Sequence, residues 1–248
     1  MTGFFDSGSG GLSVLSHFRK LAPDAEVAYF GDIRNAPYGE RPAEELAALT
    51  ELGVDVLRQR GANAIVSACN SVSPSILAGA SGELPFVEMT LPTAAYMKQF
   101  AGKRFLLIAT PATVASNIYE NALKDIVMLD SLGVAGLAGA IEFNEPSEKI
   151  AEILCSAIVS KKGETYDGVI LACTHYPLAL DILTPVLKDT YGDVMIIDPG
   201  EAVAKEAARK FASADGRVMR FYISKDSEPF RARLSALFED GSYTVEVI

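Results

Sequence analysis

Short apolar runs alternate with longer segments along almost the whole chain. These runs are continuously apolar, which is typical of parallel strands that are covered on both faces of a sheet. We therefore predict strands at Gly3–Asp6, Val27–Asp32, Ala62–Ala68, Pro85–Met89, Arg104–Ala109, Asp167–Ala172, Asp193–Asp198 and Arg217–Ile223.

The longer segments carry apolar residues three or four positions apart, as amphipathic helices do. They predict helices at Gly10–Leu21, Ala43–Arg60, Ser73–Gly79, Pro92–Phe100, Pro111–Val127, Ser147–Ser160, Leu178–Thr190 and Glu201–Phe211. The stretch 128–143 mixes glycine with small apolar residues and suggests a strand followed by a buried loop. Regular alternation of strand and helix predicts an α/β fold in which a mainly parallel sheet is flanked by helices.

The chain also contains a weak internal repeat. The segment Ile65–Ser71 resembles Val169–His175, and their cysteines lie 104 positions apart (173 − 69). The same offset pairs Asp6, at the end of the first strand, with Thr110. We therefore expect two similar α/β domains related by a pseudo-twofold axis. The first would comprise residues 1–93 and 205–248, and the second residues 94–204. Ligands of open α/β sheets bind beyond the carboxyl ends of strands, where both cysteines fall.

Composition narrows the functional classes. Of 248 residues, 49% are hydrophobic, which excludes an intrinsically disordered chain. Lys and Arg total 22 against 32 Asp and Glu, and this net charge of −10 disfavours binding to nucleic acid or anionic lipid. No apolar run approaches the roughly 20 residues that span a bilayer. The N-terminus lacks a basic region and a long apolar region, so no signal peptide is expected. Three cysteines without such a signal indicate reduced thiols in a cytoplasmic protein.

Cys69 and Cys173 each end an apolar strand and precede a polar pair. A lone cysteine is most often a small buried apolar residue, which is how we interpret Cys155. Two cysteines in matching contexts suggest more, because a thiol near a helix N-terminus can have its pKa lowered towards neutrality. Such a pair could bind a metal together with His175, form a redox disulfide, or exchange protons with one carbon atom from opposite faces. The residues alone leave these three chemistries open.

The Gly-rich turn Asp6–Ser13 follows the first strand. It could be a dinucleotide fingerprint with Asp32 as its acidic partner, or simply a tight turn. Against a fingerprint, Ser13 stands at the third glycine position and the Asp6 charge would oppose a pyrophosphate. A third possibility is that Asp6 and Ser7 bind a small zwitterion, with Asp6 taking the ammonium group.

Other polar residues are less informative. Pro37–Gly39 is a common loop pattern, and Glu142 ends an apolar run where it could be only a solvated edge. His175 could balance the proton of the neighbouring Cys173 or donate to a substrate carboxylate.

Five motifs together resemble the glutamate racemases over nearly the whole chain. They are Phe5–Ser13, Tyr29–Asp32, Pro37–Gly39, Ala68–Ser71 and Cys173–Leu178. The resemblance implies a racemase of two α/β domains that needs neither pyridoxal phosphate nor a metal. It implies that Cys69 removes the α-proton of D-glutamate and Cys173 that of L-glutamate, assisted by Asp6 and His175 respectively.

The resemblance also implies which residues hold the amino acid, and it matches Glu142 to a further acidic residue near the second cysteine. The binding residues would be Asp6, Ser7, Tyr38, Gly39, Asn70, Ser71, Thr110, Thr113, Thr174 and His175. D-glutamate for peptidoglycan, a cytoplasmic location and a homodimer are further expectations of this family resemblance.

Overall fold

The computed structural model describes residues 1–212, 216–239 and 242–248. These residues form ten strands and eleven α-helices, joined by short 3-10 turns. The strands are β1 Thr2–Asp6, β2 Val27–Gly31, β3 Ala64–Ser67, β4 Phe86–Val87, β5 Arg104–Ala109, β6 Met128–Gly133, β7 Gly168–Ala172, β8 Met195–Ile197, β9 Met219–Ile223 and β10 Tyr243–Val247. The helices are α1 Leu12–Leu21, α2 Ala43–Gln59, α3 Pro74–Ser81, α4 Thr90–Met97, α5 Pro111–Ala115, α6 Ile118–Leu123, α7 Leu137–Glu142, α8 Ser147–Ile158, α9 Leu180–Tyr191, α10 Pro199–Phe211 and α11 Glu228–Leu237.

The strands form two sheets in which every neighbouring pair is parallel. The first has the order β10-β9-β2-β1-β3-β4, and the second has the order β6-β5-β7-β8. The order β2-β1-β3-β4 in the first sheet is therefore repeated as β6-β5-β7-β8 in the second. This topology confirms the two related halves that the cysteine repeat predicted. The first half is built on the first sheet, which β9 and β10 extend, and the second half is built on the second sheet.

Both sheets are covered on both faces. Along β1, Phe4 packs into one hydrophobic cluster and Phe5 into another on the opposite face. Along β5, Leu106 and Leu107 divide between two further clusters in the same way. Successive side chains of a strand point to opposite faces, so an entirely apolar strand is what two covered faces require.

Helix α10 follows the last strand of the second sheet but packs on the first half. Its Val203, Ala204 and Ala207 join the cluster that contains Phe4 and Leu12. The predicted domain division at residues 204–205 therefore falls inside a continuous helix, and as a division it stays a prediction.

Several predicted elements differ from the structure. The single helix predicted over residues 111–127 is two short helices, because Asn117 adopts a left-handed conformation with φ of 53° and ends the first. Asparagine tolerates this conformation better than most residues. The predicted strand within 128–143 is confirmed as β6, but the predicted buried loop is wrong because Leu137–Glu142 is helical.

Cys155 was expected in the core, and this expectation is wrong because the residue is exposed on α8. The buried face of that helix is formed by Ile150, Leu154 and Ile158, which are four residues apart. Cys155 follows Leu154 directly and therefore points away from that face. None of the helices in the described ranges is long and apolar enough to cross a bilayer.

Two glycines in helices offer a matched test of core packing. A Cβ on Gly53 of α2 would lie 2.3 Å from Cε2 of Phe5, whereas a Cβ on Gly79 of α3 would meet nothing within 4 Å. We expect Gly53→Ala to lower the free energy of unfolding by about 1–3 kcal/mol through overpacking. Gly79→Ala should raise it by roughly 0.5–1 kcal/mol, because alanine favours helix. Urea unfolding of both variants checks this, and equal effects of the two substitutions would contradict it.

Candidate active site

A small cavity of about 10 Å³ lies where the carboxyl ends of the two sheets face each other. Both predicted cysteines line it, Cys69 from beyond β3 and Cys173 from the end of β7. Since β3 and β7 occupy matching positions in the two sheets, the thiols approach the cavity from equivalent points of the two halves. The lining residues are Ser7, Pro37, Tyr38, Gly39, Cys69, Asn70, Ser71, Thr110, Ala138, Cys173, Thr174 and His175.

Three predicted site residues are not in this lining. Asp6 is fully buried beside it and accepts hydrogen bonds from the Gly8 N–H (2.8 Å) and the Thr174 hydroxyl (3.2 Å). Thr113 lies behind the wall in contact with Thr110, and Glu142 lies behind His175. These three residues therefore influence the cavity only through the lining side chains that they contact.

Cys173, His175 and Glu142 form a connected group. The His175 ring places Nδ1 3.8 Å from the Cys173 sulfur and Nε2 2.6 Å from Glu142 Oε2. The turn Cys173–His175 brings the first two together, since the Tyr176 N–H donates to the Cys173 carbonyl (3.0 Å). A thiol, an imidazole and a carboxylate in this order are suited to holding a proton near the sulfur.

Glu142 Oε2 also accepts two hydrogen bonds from Ser9 of the first half. The Ser9 N–H donates at 3.0 Å and the Ser9 hydroxyl at 2.6 Å. Burial alone would raise the pKa of Glu142, but the hydrogen bonds from His175 and Ser9 outweigh burial and lower the pKa to about 2. Glu142 is therefore ionised, and the solvated edge considered from the sequence is wrong because the side chain is 1% exposed.

The surroundings of His175 favour its protonated form. Burial alone would lower its pKa, yet the contacts with Cys173 and Glu142 outweigh burial and raise the pKa well above its ordinary value. The Cys173 sulfur therefore lies 3.8 Å from a ring nitrogen of an imidazole that favours its charged form.

The Cys69 thiol has a different environment. Burial and the neighbouring Asp6 carboxylate raise the pKa of Cys69 to about 12, against the smaller lowering effects of the Ser71 N–H and the Ser7 hydroxyl. The sequence-based expectation of a lowered pKa is therefore wrong for Cys69. The next helix along the chain after Cys69, α3, begins at Pro74 and is capped by the Ser73 hydroxyl. Its N-terminus is too far along the chain to offset burial, because the helix dipole acts only near the first turn.

The pKa of Asp6 is also shifted from its ordinary value. Complete burial raises the pKa of Asp6, and the positive charge of His175 and hydrogen bonds from the backbone at Gly8 and Gly11 only partly offset this. A buried carboxylate without a full countercharge would gain from an ammonium group placed beside it. This agrees with the predicted zwitterion site.

The hydroxyl groups of Ser71, Thr110 and Thr113 form a cluster beside the cavity. Ser71 Oγ lies 3.1 Å from Thr110 Oγ1 and 3.4 Å from Thr113 Oγ1, and the two threonine oxygens are 2.9 Å apart. The neighbouring Asn70 accepts a hydrogen bond from the Tyr119 hydroxyl, while its Nδ2 has no partner within the described residues. Hydroxyl groups and a spare amide N–H are the donors that a carboxylate needs.

The Gly-rich turn is packed against the second half. A Cβ on Gly10 would lie 2.6 Å from Thr174 Oγ1, so only glycine permits this approach. Asp32, the acidic partner in the dinucleotide hypothesis, is buried, and its two oxygens accept from Tyr38 (2.7 Å) and Ser224 (2.6 Å). This prior engagement disfavours the dinucleotide hypothesis.

The loop that carries Tyr38 and Gly39 closes one side of the cavity. Burial and the adjacent Asp32 raise the pKa of Tyr38, so the phenol stays neutral and donates to that carboxylate. Gly39 lies against Thr110 so closely that a Cβ would be 2.5 Å from the threonine Cβ. The close contact explains why glycine occupies this position.

Sequence reasoning missed Ser9, Tyr119 and Arg233. Ser9 stood within the Gly-rich motif, but its partner Glu142 is 133 positions away. Tyr119 and Arg233 lie in helices without a recognisable motif. Across residues 1–212, 216–239 and 242–248, no three His, Cys, Asp or Glu side chains are grouped so that they could hold a metal ion.

The ion pair of Glu142 with His175 generates a prediction about acid stability. The pKa of Glu142 is about 2 in the folded protein and near 4.5 in the unfolded chain, so its stabilisation is complete above about pH 5 and is lost as pH falls towards 2. His175 is protonated in both states over this range and adds no slope. Glu142→Gln should remove a stabilisation on the order of 2–3 kcal/mol at pH 5 and flatten the loss below it.

Urea unfolding at several pH values between 5 and 2.5 measures this effect. Glu152→Gln, which removes an exposed carboxylate from the neighbouring helix α8, is the control and should keep the wild-type dependence on pH. An unchanged slope in Glu142→Gln would contradict the prediction.

Comparisons with known proteins agree with this geometry. The sequence profile of the Asp/Glu/Hydantoin racemase family matches residues 13–207. The glutamate racemase of Streptococcus sanguinis is 34% identical over 211 residues, which cover 82% of this chain and 78% of that protein. Glutamate racemase 3 of Caldanaerobacter subterraneus is 29% identical over 259 residues, covering 99% and 94% respectively.

Among solved structures, glutamate racemase isoform RacE1 from Bacillus anthracis superposes with a TM-score of 0.85. It is 27% identical, and the match covers 100% of this chain and 97% of that one. The aspartate racemase of Picrophilus torridus shares the fold with a TM-score of 0.60 at 21% identity. The matched profile spans most of the chain and the structural likeness extends over all of it: this protein belongs to the Asp/Glu/hydantoin racemase family.

Proposed function

We propose that this protein interconverts L- and D-glutamate by moving the α-proton between Cys69 and Cys173, without a cofactor. The observation that carries the proposal is that two thiols, from matching strand ends of the two halves, line one cavity. Racemisation needs a base on one face of a carbon atom and an acid on the other. The glutamate racemases among its relatives support glutamate as the substrate.

Within one conversion, one thiol takes a proton from the substrate carbon and the other thiol gives one to it. In the L-to-D direction, the Cys173 thiolate takes the α-proton, and the electron pair of the C–H bond moves into the carboxylate to form an enediolate. The Cys69 S–H then gives its proton to the opposite face of the carbon and becomes a thiolate. The reverse direction exchanges the two roles, and no electrons are gained or lost. After an L-to-D conversion Cys173 is the thiol and Cys69 the thiolate, and exchange of protons with water restores the starting form.

The electrostatics of the free protein suit the L-to-D direction first. The raised pKa of Cys69 keeps it a thiol, and the raised pKa of His175 keeps an imidazolium beside Cys173. For the D enantiomer Cys69 must become the thiolate. A substrate ammonium group beside Asp6 would cancel part of the negative field that raises the pKa of Cys69, so binding itself prepares that side.

Fixed donors around the cavity would stabilise the enediolate. The hydroxyl groups of Ser7, Ser71 and Thr110 line the cavity. The Thr174 hydroxyl lines it as well, and its O–H donates to Asp6 in the free protein. Donors that are already oriented cost no reorganisation when negative charge develops on the substrate. Because residues of both halves enclose the cavity, we infer that the halves separate to admit the amino acid.

The cellular context follows from the same proposal. A racemase of this specificity would supply D-glutamate for peptidoglycan in the cytoplasm, and we propose that it acts as a homodimer. Aspartate or a related acidic amino acid is the alternative substrate, because the two-cysteine arrangement suits any α-amino acid with a second carboxylate.

Replacing either cysteine tests the chemistry. Cys69→Ser and Cys173→Ser should each lower the rate of racemisation by about 10²–10⁴-fold, since each removes an acid or base of suitable reactivity. Cys155→Ser, which changes an exposed thiol on α8, is the matched control and should keep the wild-type rate. Circular dichroism of the glutamate solution follows the rate. Full activity in either Cys69→Ser or Cys173→Ser would contradict the two-thiol mechanism.

Offering both acidic amino acids in heavy water tests the substrate. We expect both enantiomers of glutamate to acquire deuterium at Cα and to racemise, with aspartate slower in both respects. Proton NMR measures the exchange. Faster exchange into aspartate would reassign the specificity, and binding of glutamate with no exchange would make the protein a non-catalytic binder.

A further inference from the structure

An arginine near the C-terminus reaches across to the second half. Arg233 lies on α11, whose Phe230 and Leu234 pack into the core of the first half. Its guanidinium group donates to the hydroxyl of Ser9 (2.8 Å) and to the carbonyl of Glu142 (2.9 Å) through Nη1. Through Nη2 it donates to the carbonyl of Ile141.

This arrangement uses the shape of arginine. The two carbonyl groups lie at the C-terminal end of α7, where a positive charge is favourable. The guanidinium is planar and carries donors in a fixed fork, so it can bridge two adjacent carbonyls and a hydroxyl together. The side chain is only 16% exposed, which means that these bonds replace most of its contact with water.

The contacts continue from Arg233 to the thiol. Ser9 accepts from Arg233 and donates to Glu142 Oε2, and the same oxygen accepts from His175 Nε2. The other nitrogen of His175 faces the Cys173 sulfur. The second carboxylate oxygen, Oε1, has no partner among the described residues, so Glu142 is held only through Oε2 and its backbone. Arg233 contacts both Ser9, which donates to Oε2, and the backbone carbonyl of Glu142.

We propose that Arg233 is a positioning residue for the Cys173 side of the reaction. Its fork fixes Ser9 and the end of α7, which fixes Glu142, and Glu142 in turn holds the His175 ring against Cys173. The inference rests on the proposed racemisation. Arg233 itself lies beyond residues 13–207, the part of the chain that the family profile matches.

The alternative is that Arg233 only joins α11 to α7. The two roles differ in what happens to His175. The charged and titratable groups that face this imidazole are Glu142 from α7, Cys173 from its own turn and Asp6 from the end of β1. Loss of the positive charge of Arg233 alone would make His175 easier to protonate. Loss of the grip on Glu142 would make it harder, because the Glu142 hydrogen bond is one cause of the raised pKa of His175.

Nitrogen-15 NMR of the imidazole groups distinguishes these effects. The chain has only two histidines, and His17, which pairs with Asp198 at 3.1 Å, serves as an internal reference. In Arg233→Gln we expect His175 to lose its second N–H proton at lower pH than in the wild type, with the His17 signal unchanged. We expect kcat/KM for racemisation to fall by roughly 10- to 100-fold, because small displacements of catalytic groups have effects of this size.

Two further variants complete the experiment. Arg231→Gln removes another arginine of α11, one that pairs with Asp226 at the exposed surface, and should match the wild type in both measurements. Arg233→Lys keeps the charge but not the fork, so it should recover only part of the activity. It also provides a measurable protein if Arg233→Gln does not fold.

Three results would overturn the inference. They are wild-type activity with an unchanged His175 signal in folded Arg233→Gln, lost activity with an unchanged His175 signal, and full recovery in Arg233→Lys. If the wild-type protein does not racemise glutamate, the proposed function fails. A shift of the His175 signal in Arg233→Gln would then still support the structural coupling, so the two failures are distinguishable.

Discussion

One carboxylate oxygen, Oε2 of Glu142, connects the Gly-rich turn of the first half to the cysteine-bearing turn of the second half. It accepts hydrogen bonds from the Ser9 N–H, the Ser9 hydroxyl and the His175 ring. A carboxylate this deeply buried is costly unless it is paired, and here the imidazolium and two further donors offset that cost. The Gly-rich turn of the first half and the cysteine-bearing turn of the second are thereby fixed relative to each other. That link sets the placement of the two thiols on one cavity together with the contacts of Thr174 with Asp6 and of Thr110 with Ser71.

The fold could be predicted from the sequence wherever a strand is covered on both faces. The central strands β1, β3, β5 and β7 are such strands, and their runs of apolar residues are unambiguous. Edge strands carry less of this signal. The β6 and β10 strands are partly exposed and mix polar with apolar residues, so they were left uncertain or missed. Helix α11 was missed although Ser227 caps it and Pro229 lies in its first turn, a pattern typical of a helix start.

The site could be predicted only as far as its motifs extend. Residues within the short motifs, such as Ser7, Asn70 and Thr174, line the cavity, and their binding of the amino acid stays a prediction. Residues that support them from distant parts of the chain were missed, since Arg233 contacts Ser9 across 224 positions of sequence. The protonation states of the site residues could not be predicted from the sequence either. Whether burial or a neighbouring charge controls the pKa of Cys69 depends on the packed environment, and local sequence contains no information about it.

The unequal surroundings of the two thiols do not make this site a one-way catalyst. The enantiomers of an amino acid have equal free energies in water, so kcat/KM must be the same in both directions for the wild type and for any variant. The environment of Cys69 and Cys173 can only change how each direction divides its barrier between binding and turnover. Interactions that fix His175 act on a transition state common to both directions. The Arg233–Ser9–Glu142 network touches only the Cys173 side of the cavity, yet it must serve the conversion of either enantiomer.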